Sequence, residues 1–241
     1  MTQFKYGLID PAEQVAGVHL LTDRVTAPLP APAPVVSYEK LVAEWPVALN
    51  DKLGDCTIAG IEHVLEVHAA EVGSTFAYPG DPAVQSTYFG LSGGVDSGLL
   101  LSDVIKAGST TGLFGHKILG AAQILPHDTT SLKQTVDFWG AAYVGVRCPA
   151  SAQQQFSSGQ PFTVVPGSPI EGGHCIIFVG YDQSYLYAVT WGGVVPVAWG
   201  WWALYGTQAF ALVTDFFTAG HAPTALLDDA ALTADLAVLN G

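Results

Sequence analysis

The strongest structural signal in the chain comes from residues 50–72, which read NDKLGDCTIAGIEHVLEVHAAEV. From Cys56 onward, apolar side chains recur at spacings of three and four residues, namely Ile58, Ile61, Val64, Leu65, Ala69 and Val72. This spacing is typical of an amphipathic helix. The residues just before Cys56 are mostly polar and include a glycine, as in a turn. The pattern therefore predicts a helix that begins at Cys56.

Cys56 is placed where a thiol can become reactive. The free N–H groups and the dipole at a helix N-terminus stabilise the thiolate, which is the nucleophilic form of cysteine. A buried cysteine at the start of a helix is nevertheless more often a packing residue. Cys56 alone therefore does not predict an enzyme.

The second half of the chain has the composition of β-strands. Runs of β-branched, aromatic and small apolar residues occupy 141–146, 175–179, 185–190 and 209–213. Further short helices are predicted at 99–107 and 131–138, and residues 76–98, which contain Gly, Ser and Pro, are predicted to be a loop. Helices first and strands later indicate an α+β fold, with a helical half packed on an antiparallel sheet.

A second chemical candidate opens one of these strands. The sequence Gly172-Gly173-His174 stands directly before the apolar run at 175–179. Glycines allow another backbone to approach closely, and an imidazole beside a thiol can serve as its general base. A single histidine in this position would more often be structural, so the argument depends on its pairing with Cys56.

Together these elements resemble the papain-like cysteine peptidases. Asn50 lies six residues before Cys56, at the spacing where the family has an oxyanion-binding glutamine. The downstream order of strand, loop, histidine strand and tryptophan corner also matches, at residues 143–146, 156–159, 172–181 and 190–193. The resemblance runs from about residue 45 to 213 and is nearest to an uncharacterised actinobacterial and actinophage branch of the superfamily.

The resemblance implies a papain-like fold and a catalytic role for each of three residues. Cys56 would attack a carbonyl carbon and His174 would accept and return a proton. Asn50 and the Cys56 backbone N–H would stabilise the oxyanion. The substrate would be a peptide or protein, cleaved at a peptide, amide or isopeptide bond.

Three residues depart from the papain pattern. Val189 stands where the family has an asparagine that orients the imidazole, two residues before the corner tryptophan, which leaves a dyad. Thr190 or Asp182 could substitute for the asparagine, although Thr190 is predicted to point to the opposite face of the strand from Val189. Asn50 is one methylene shorter than glutamine, and Asp55 places a negative charge beside the thiol, which should raise its pKa. These changes predict a slow and selective enzyme.

Composition limits the partners. The net charge is −13, from 21 acidic and 8 basic residues, and the basic residues are scattered, so neither nucleic acid nor an anionic membrane is an expected partner. No apolar run reaches the roughly 18 residues that a transmembrane helix needs, and the N-terminus lacks the pattern of a cleavable signal peptide. A soluble protein, cytoplasmic or virion-associated, is expected.

Cysteine and histidine spacing gives no sign of a disulfide framework or a cofactor. The three cysteines are an odd number, and Cys148 and Cys175 are predicted to be small buried residues. His63 and His68 are five residues apart and do not share a helix face, so no metal site is predicted from them. No motif for a nucleotide or another cofactor is present.

The chain is expected to have three segments. Residues 1–44 form an extended, proline-rich N-terminal arm, residues 45–217 the papain-like domain, and residues 218–241 an acidic helical tail. The arm should need a surface to become ordered, either across the cleft, as a propeptide lies, or on another subunit.

Two functions remain open at this stage. One is the thiol hydrolase. The other is a non-catalytic structural or binding protein, such as a phage virion component or capsid decoration, which keeps the scaffold and contacts other subunits in an oligomer or larger assembly.

Overall fold

The computed structural model describes residues 4–9, 18–217 and 226–240. Within these ranges the chain forms seven α-helices: α1 (Cys56–Glu71), α2 (Asp81–Leu91), α3 (Leu101–Thr110), α4 (Thr129–Trp139), α5 (Ala150–Ser157), α6 (Trp199–Tyr205) and α7 (Asp229–Asn240). It also forms seven β-strands: β1 (Val36–Ser37), β2 (Ile118–Ile124), β3 (Ala142–Pro149), β4 (Ile170–Tyr181), β5 (Tyr185–Thr190), β6 (Gly193–Ala198) and β7 (Gly206–Thr214). The predicted α+β order is confirmed, with most of the strands in the second half.

The strands form one antiparallel sheet in the order β2-β7-β3-β4-β5-β6, and β1 pairs with the end of β4. The pairing of β4 fixes the geometry of the candidate site. His174 lies opposite Val146 of β3, and Ile177 lies opposite Val189 of β5. The four strands predicted from the sequence are confirmed, with longer bounds for three of them.

The elements that the sequence did not predict have weak patterns. α2 falls in the region expected to be a loop; it has a proline in its first turn and buries only Val84 and Tyr88, so its apolar periodicity is sparse. β6 contains Pro196, which is tolerated because β6 is an edge strand of the sheet.

α1 is buried on all sides rather than on one face. Every residue from Cys56 to Ala69 is buried. The helix packs against β3, β4 and β5, and α2, α3 and the 3-10 helix at Tyr38–Lys40 cover its remaining surface. The amphipathic pattern therefore understates the burial of this helix, because the polar side chains of α1 also lie inside the protein.

Two apolar clusters fill the two faces of the sheet. On β4, Cys175, Ile177 and Val179 join the cluster on the α1 side. Ile176 and Phe178 alternate with them and join the opposite cluster. That second cluster also holds the largest buried aromatic side chains, which are Trp139, Trp201 and Trp202.

Hydrogen bonds and an ion pair connect the two terminal segments to the rest of the fold. In the N-terminal segment, the amide of Ala33 donates to Asp137 at the end of α4, and the Tyr181 hydroxyl donates to the carbonyl of Ala33. Arg24 forms an ion pair with Asp235 of α7. The first part of the expected tail, residues 218–225, lies outside the described residues. None of the helices in the described ranges combines the length and apolar character that crossing a membrane requires.

Candidate active site

The thiol of Cys56 lies at the junction between helix and sheet. Cys56 is the first residue of α1 and is 1% exposed. Its sulfur accepts a hydrogen bond from the backbone N–H of Cys175, at 3.3 Å. That amide directly follows His174 in β4, so the fold brings together the helix start and the histidine strand that the sequence singled out.

The imidazole of His174 is buried and oriented. Its Nε2 lies 2.7 Å from the hydroxyl oxygen of Thr190. Its Nδ1 is also buried and has no hydrogen-bond partner among the described residues. One ring face stacks on Trp191, with ring centroids 4.7 Å apart. The ring is therefore fixed through one nitrogen, and the other has no hydrogen-bond partner among the described residues.

The expectation of a dyad without an orienting residue is wrong, because Thr190 takes that place. Val189 pairs with Ile177 and belongs to the cluster on the α1 face of the sheet. Thr190 points to the other face of the sheet, as expected from strand alternation. His174 points to that same face, because it alternates with Cys175 along β4. Counting back from the tryptophan corner had assigned the partner position to Val189, one residue too early.

Trp191 is held in a backbone conformation that is unfavourable for it. Its φ is 49°, and Gly192 follows with φ 78°. The two residues form the loop between Thr190 and Gly193, as in a hairpin turn with two left-handed residues. A side chain in this region costs about 1–2 kcal/mol. The strain places the indole flat against His174, which is typical of a functional site.

Asn50 does not face an open oxyanion site in this structure. It is 2% exposed, and its side-chain amide donates to Asp55 at 3.3 Å and to the carbonyl of Leu53 at 3.4 Å. The residues before it, Ala48 and Leu49, have φ values of 52° and 66°. The loop is thus strained, and the amide that the papain resemblance assigns to the oxyanion is bound to Asp55.

Burial controls the protonation of both principal groups. It raises the pKa of the Cys56 thiol to about 12, although the N–H groups of Cys175 and Gly7 oppose the rise. Asp55 adds a smaller increase to the pKa of the thiol, and only when its carboxyl group is ionised. Burial also lowers the pKa of His174 to about 3 and raises that of Asp55 to about 8. Cys56 and His174 are therefore both neutral in this state.

A segment from the N-terminal arm lies directly over the thiol. We call residues 4–9 the strap. The amide of Leu8 donates to the carbonyl of Gly173 at 3.0 Å. The amide of Leu99 donates to the carbonyl of Gly7 at 2.8 Å, and the amide of Ile9 donates back to Leu99 at 3.0 Å. The strap thus forms a short bridge between the helical half and the histidine strand.

Glycines make room for the strap. A Cβ atom on Gly7 would lie 1.6 Å from the carbonyl oxygen of Gly54, so no other residue fits there. On the groove walls, Cβ atoms at Gly98 and Gly173 would lie 2.2 Å and 2.3 Å from the carbonyl oxygens of Gly7 and Leu8. Backbone therefore meets backbone along the whole contact, which excludes water from the sulfur.

Aromatic side chains complete the cover. Phe4 stacks on the free face of Trp191 with centroids 4.7 Å apart, and Tyr6 meets the His174 ring edge-on at 5.7 Å. Lys5 forms an ion pair with Asp96 at 2.9 Å. The sequence predicted that the arm could lie across the cleft, but not that residues 4–9 are the part that does, because they have no periodic pattern. Thr190 was one of two possible partners for His174, and only the register of the strands distinguishes them.

Comparisons with known structures agree on the fold. The chain is similar to xylellain, a cysteine protease from Xylella fastidiosa, with TM-score 0.65 and 14% identity over 88% of this chain and 98% of that one. It is also similar to procathepsin L2 from Tenebrio molitor, with TM-score 0.62 and 12% identity over 87% and 78%. Procathepsin B S9 from Trypanosoma congolense is similar with TM-score 0.58 and 11% identity, over 88% of this chain and 87% of that one.

These similarities establish the papain-like α+β fold. No protein-family model matches the sequence, and no curated protein matches it by sequence. At identities of 11–14% the structural likeness shows architecture alone, so activity has to be argued from the site.

Proposed function

We propose that this protein is a papain-like thiol hydrolase, which cleaves a peptide, amide or isopeptide bond and is latent while the strap covers Cys56. The observation that carries the proposal is the state of His174, whose Nε2 is fixed by Thr190 while its buried Nδ1 has no partner. A purely structural buried histidine would be expected to satisfy both nitrogens.

The proposed chemistry follows from this arrangement. His174 Nδ1 takes the proton of the Cys56 thiol, and the sulfur attacks the substrate carbonyl carbon to form a tetrahedral intermediate. The imidazolium then returns the proton to the leaving nitrogen, giving an acyl-enzyme that water hydrolyses. Throughout, Nε2–H donates to the Thr190 oxygen and stabilises the charged ring, as an orienting residue does.

The oxyanion needs two donors, and one of them has to be released. The backbone N–H of Cys56 at the start of α1 can serve as the first. Asn50 can serve as the second only after its amide leaves Asp55. An enzyme of this kind pays part of its binding energy for that movement, which fits a slow and selective hydrolase.

Latency is supported by the physical effects of the strap. By excluding water, the strap contributes to the burial that keeps the thiol and imidazole neutral. Two of the similar structures, procathepsin L2 and procathepsin B, are proenzymes. Displacing residues 4–9 would return both groups toward their ordinary pKa values and open the groove between Leu99 and Gly173 to a substrate backbone.

The non-catalytic alternative has no specific observation in its favour. The phage or virion role and the actinobacterial branch rest on the sequence resemblance alone. The experiment below also tests this alternative, because a scaffold that has lost catalysis has no reason to keep a selectively reactive Cys56.

The test compares thiol labelling of the wild type with that of Gly7→Ala. A methyl group at Gly7 collides with Gly54 and must displace the strap, while the groove and the reacting groups stay unaltered. Gly90→Ala is the matched control, because a Cβ at Gly90 meets nothing within 4 Å. Each protein is incubated at neutral pH with an epoxide thiol reagent and followed by intact mass, with Cys56→Ala to assign the label.

Gly7→Ala should gain a single label on Cys56 at least about tenfold faster than the wild type, since each unit of pKa decrease multiplies the thiolate fraction by about ten. Gly90→Ala should behave as the wild type. Labelling of Gly7→Ala that is slow, or is spread equally over the three cysteines, would contradict the proposal.

A further inference from the structure

A second group of ionisable side chains lies in the middle of α1, one to three turns beyond Cys56. Glu62, His63 and Glu66 each offer one possible ligand atom, and these atoms all lie within 4.8 Å of one another. Glu62 is fully buried, His63 is 2% exposed and Glu66 is 9% exposed. The sequence analysis weighed only the two histidines of this helix and did not consider the carboxylates.

The carboxylates in this cluster lack a cationic side chain from lysine or arginine. Both side-chain oxygens of Glu62 and one of Glu66 are buried and accept no hydrogen bond from a backbone N–H or a hydroxyl of the described residues. Their neighbours are each other, close enough to share a proton, and the His63 ring. No lysine or arginine in the described ranges forms an ion pair with either residue. Buried acceptors without donors or counter-charge are unfavourable, and they are rare in native proteins.

One pair of atoms has the spacing of ligands around a small cation, and a hydrogen bond links the same histidine to a nearby carbonyl group. His63 Nε2 lies 3.5 Å from Glu62 Oε2 and 2.9 Å from the carbonyl oxygen of Pro46. Two ligands that are each about 2.1 Å from a tetrahedral zinc ion are about 3.4 Å apart. One imidazole, two carboxylates and a carbonyl oxygen form a donor set that suits a divalent transition metal.

We propose that Glu62, His63 and Glu66 bind a divalent transition-metal cation, with zinc the best chemical match, and that the Pro46 carbonyl lies close enough to complete the site. The charge supports this assignment, because two carboxylates neutralise one divalent cation inside a protein that is acidic overall. The proposal is independent of the hydrolase function, since neither Cys56 nor His174 takes part.

A cavity borders one member of the cluster. It has a volume of about 260 Å³ and is lined by Glu66 and also by Glu44 and Phe76. Because Glu66 belongs to both the cavity and the cluster and is the most exposed of the three ligands, we expect a cation to enter from this side.

Cation binding would rearrange protons and couple to the neighbouring loop. In the present state His63 Nε2–H donates to Pro46, so ligation moves that proton to Nδ1 and frees the Pro46 carbonyl. Trp45 packs edge-on against His63 at 5.6 Å. The loop that begins with Trp45 and Pro46 ends at Asn50, so the cation would anchor the segment that carries the proposed oxyanion donor.

The experiment titrates zinc, and cobalt as a spectroscopic probe, into full-length protein freed of metal with a chelator. Binding is measured by calorimetry and native mass spectrometry for the wild type, Glu62→Gln and Glu66→Gln. Glu71→Gln is the matched control, because Glu71 lies on the same helix and also has a buried oxygen without a partner, but has no second ligand residue in a cluster. If Glu62→Gln fails to fold, the zinc affinity of Glu66→Gln still tests the proposal, because Glu66 is the more exposed of the two residues.

The wild type and Glu71→Gln should each bind one zinc ion with matching affinity, and the two cluster variants should bind at least about tenfold more weakly. The cobalt complex should show no thiolate-to-metal charge transfer. Equal zinc affinity in the wild type and both cluster variants would overturn the proposal and leave a carboxyl pair that shares a proton. A thiolate band would also overturn it, by placing the metal on a cysteine.

Discussion

On the sheet side of the candidate site, His174 is held by Thr190 and stacked on Trp191. On the helix side, Asn50 is bound to Asp55 and the thiol is covered by the strap. In the proposed mechanism the base is thus already in its working position, while the groups that would receive the substrate are occupied. The difference indicates that, if the protein is a latent hydrolase, its latency is built into the helix side alone.

The two sides should also respond to pH in opposite directions. Asp55 on the helix side is a buried acid with a raised pKa, and His174 on the sheet side is a buried base with a lowered pKa. Both groups are neutral in the folded protein. In the unfolded protein Asp55 is charged near neutral pH, and His174 is charged in acid. Variants at the two residues therefore separate their contributions to the pH dependence of the free energy of unfolding.

The largest expected effect concerns Asp55. Its pKa is about 8 in the folded protein against 3.8 ordinarily, so its contribution to stability is complete below about pH 4 and is lost as the pH rises to 8. The loss amounts to about 1.4 kcal/mol per pH unit. Urea unfolding between pH 4 and 8 should show a shallower decline for Asp55→Asn than for the wild type. Parallel curves would mean that Asp55 is ionised in the folded state.

His174 should change the stability in the opposite direction, so that stability is lost as the pH falls. Its pKa falls from 6.5 to about 3 on folding, so its contribution is complete above pH 6.5 and is lost as the pH falls toward 3. The expected slope is again about 1.4 kcal/mol per pH unit, over a slightly narrower range. Unfolding of His174→Gln should depend less on pH between 6.5 and 4 than unfolding of the wild type. An identical dependence would contradict the burial of a neutral ring.

A smaller effect is expected at Thr190, and it tests the sheet side without removing the base. In the Gly7→Ala background, Thr190→Val should slow Cys56 alkylation about tenfold to a hundredfold, because a hydrogen bond to a charged ring contributes about 1.5–3 kcal/mol. Thr190→Ser should restore most of the rate. Val189→Asn should give no increase, since Val189 faces the other cluster; a gain there would show that the orienting position was assigned wrongly.

The sequence predicted those parts of the site that depend on local signals. The helix start at Cys56 and the apolar strand that carries His174 each follow from a contiguous pattern, although that strand begins earlier than predicted, at Ile170. The choice of Thr190 over Val189 depends on the register that sets Ile177 opposite Val189, which no local pattern encodes.

Long-range contacts explain the other omissions. The strap lies beside Gly54 and Gly173 only in the folded chain, and its own six residues carry no periodicity. The amphipathic pattern of α1 cannot show that other elements will cover its polar face. That same covering creates the cluster of Glu62, His63 and Glu66.

The central claim, that His174 activates Cys56 once the strap is displaced, is tested most directly by the pH dependence of Cys56 alkylation. The rates are compared for Gly7→Ala and for Gly7→Ala combined with His174→Ala. The account predicts that Gly7→Ala still reacts at pH 6, through a thiolate stabilised by the imidazolium, and that the second substitution shifts the profile to an ordinary thiol titration near about pH 8.5. Identical profiles for the two proteins, both rising near that pH, would contradict it.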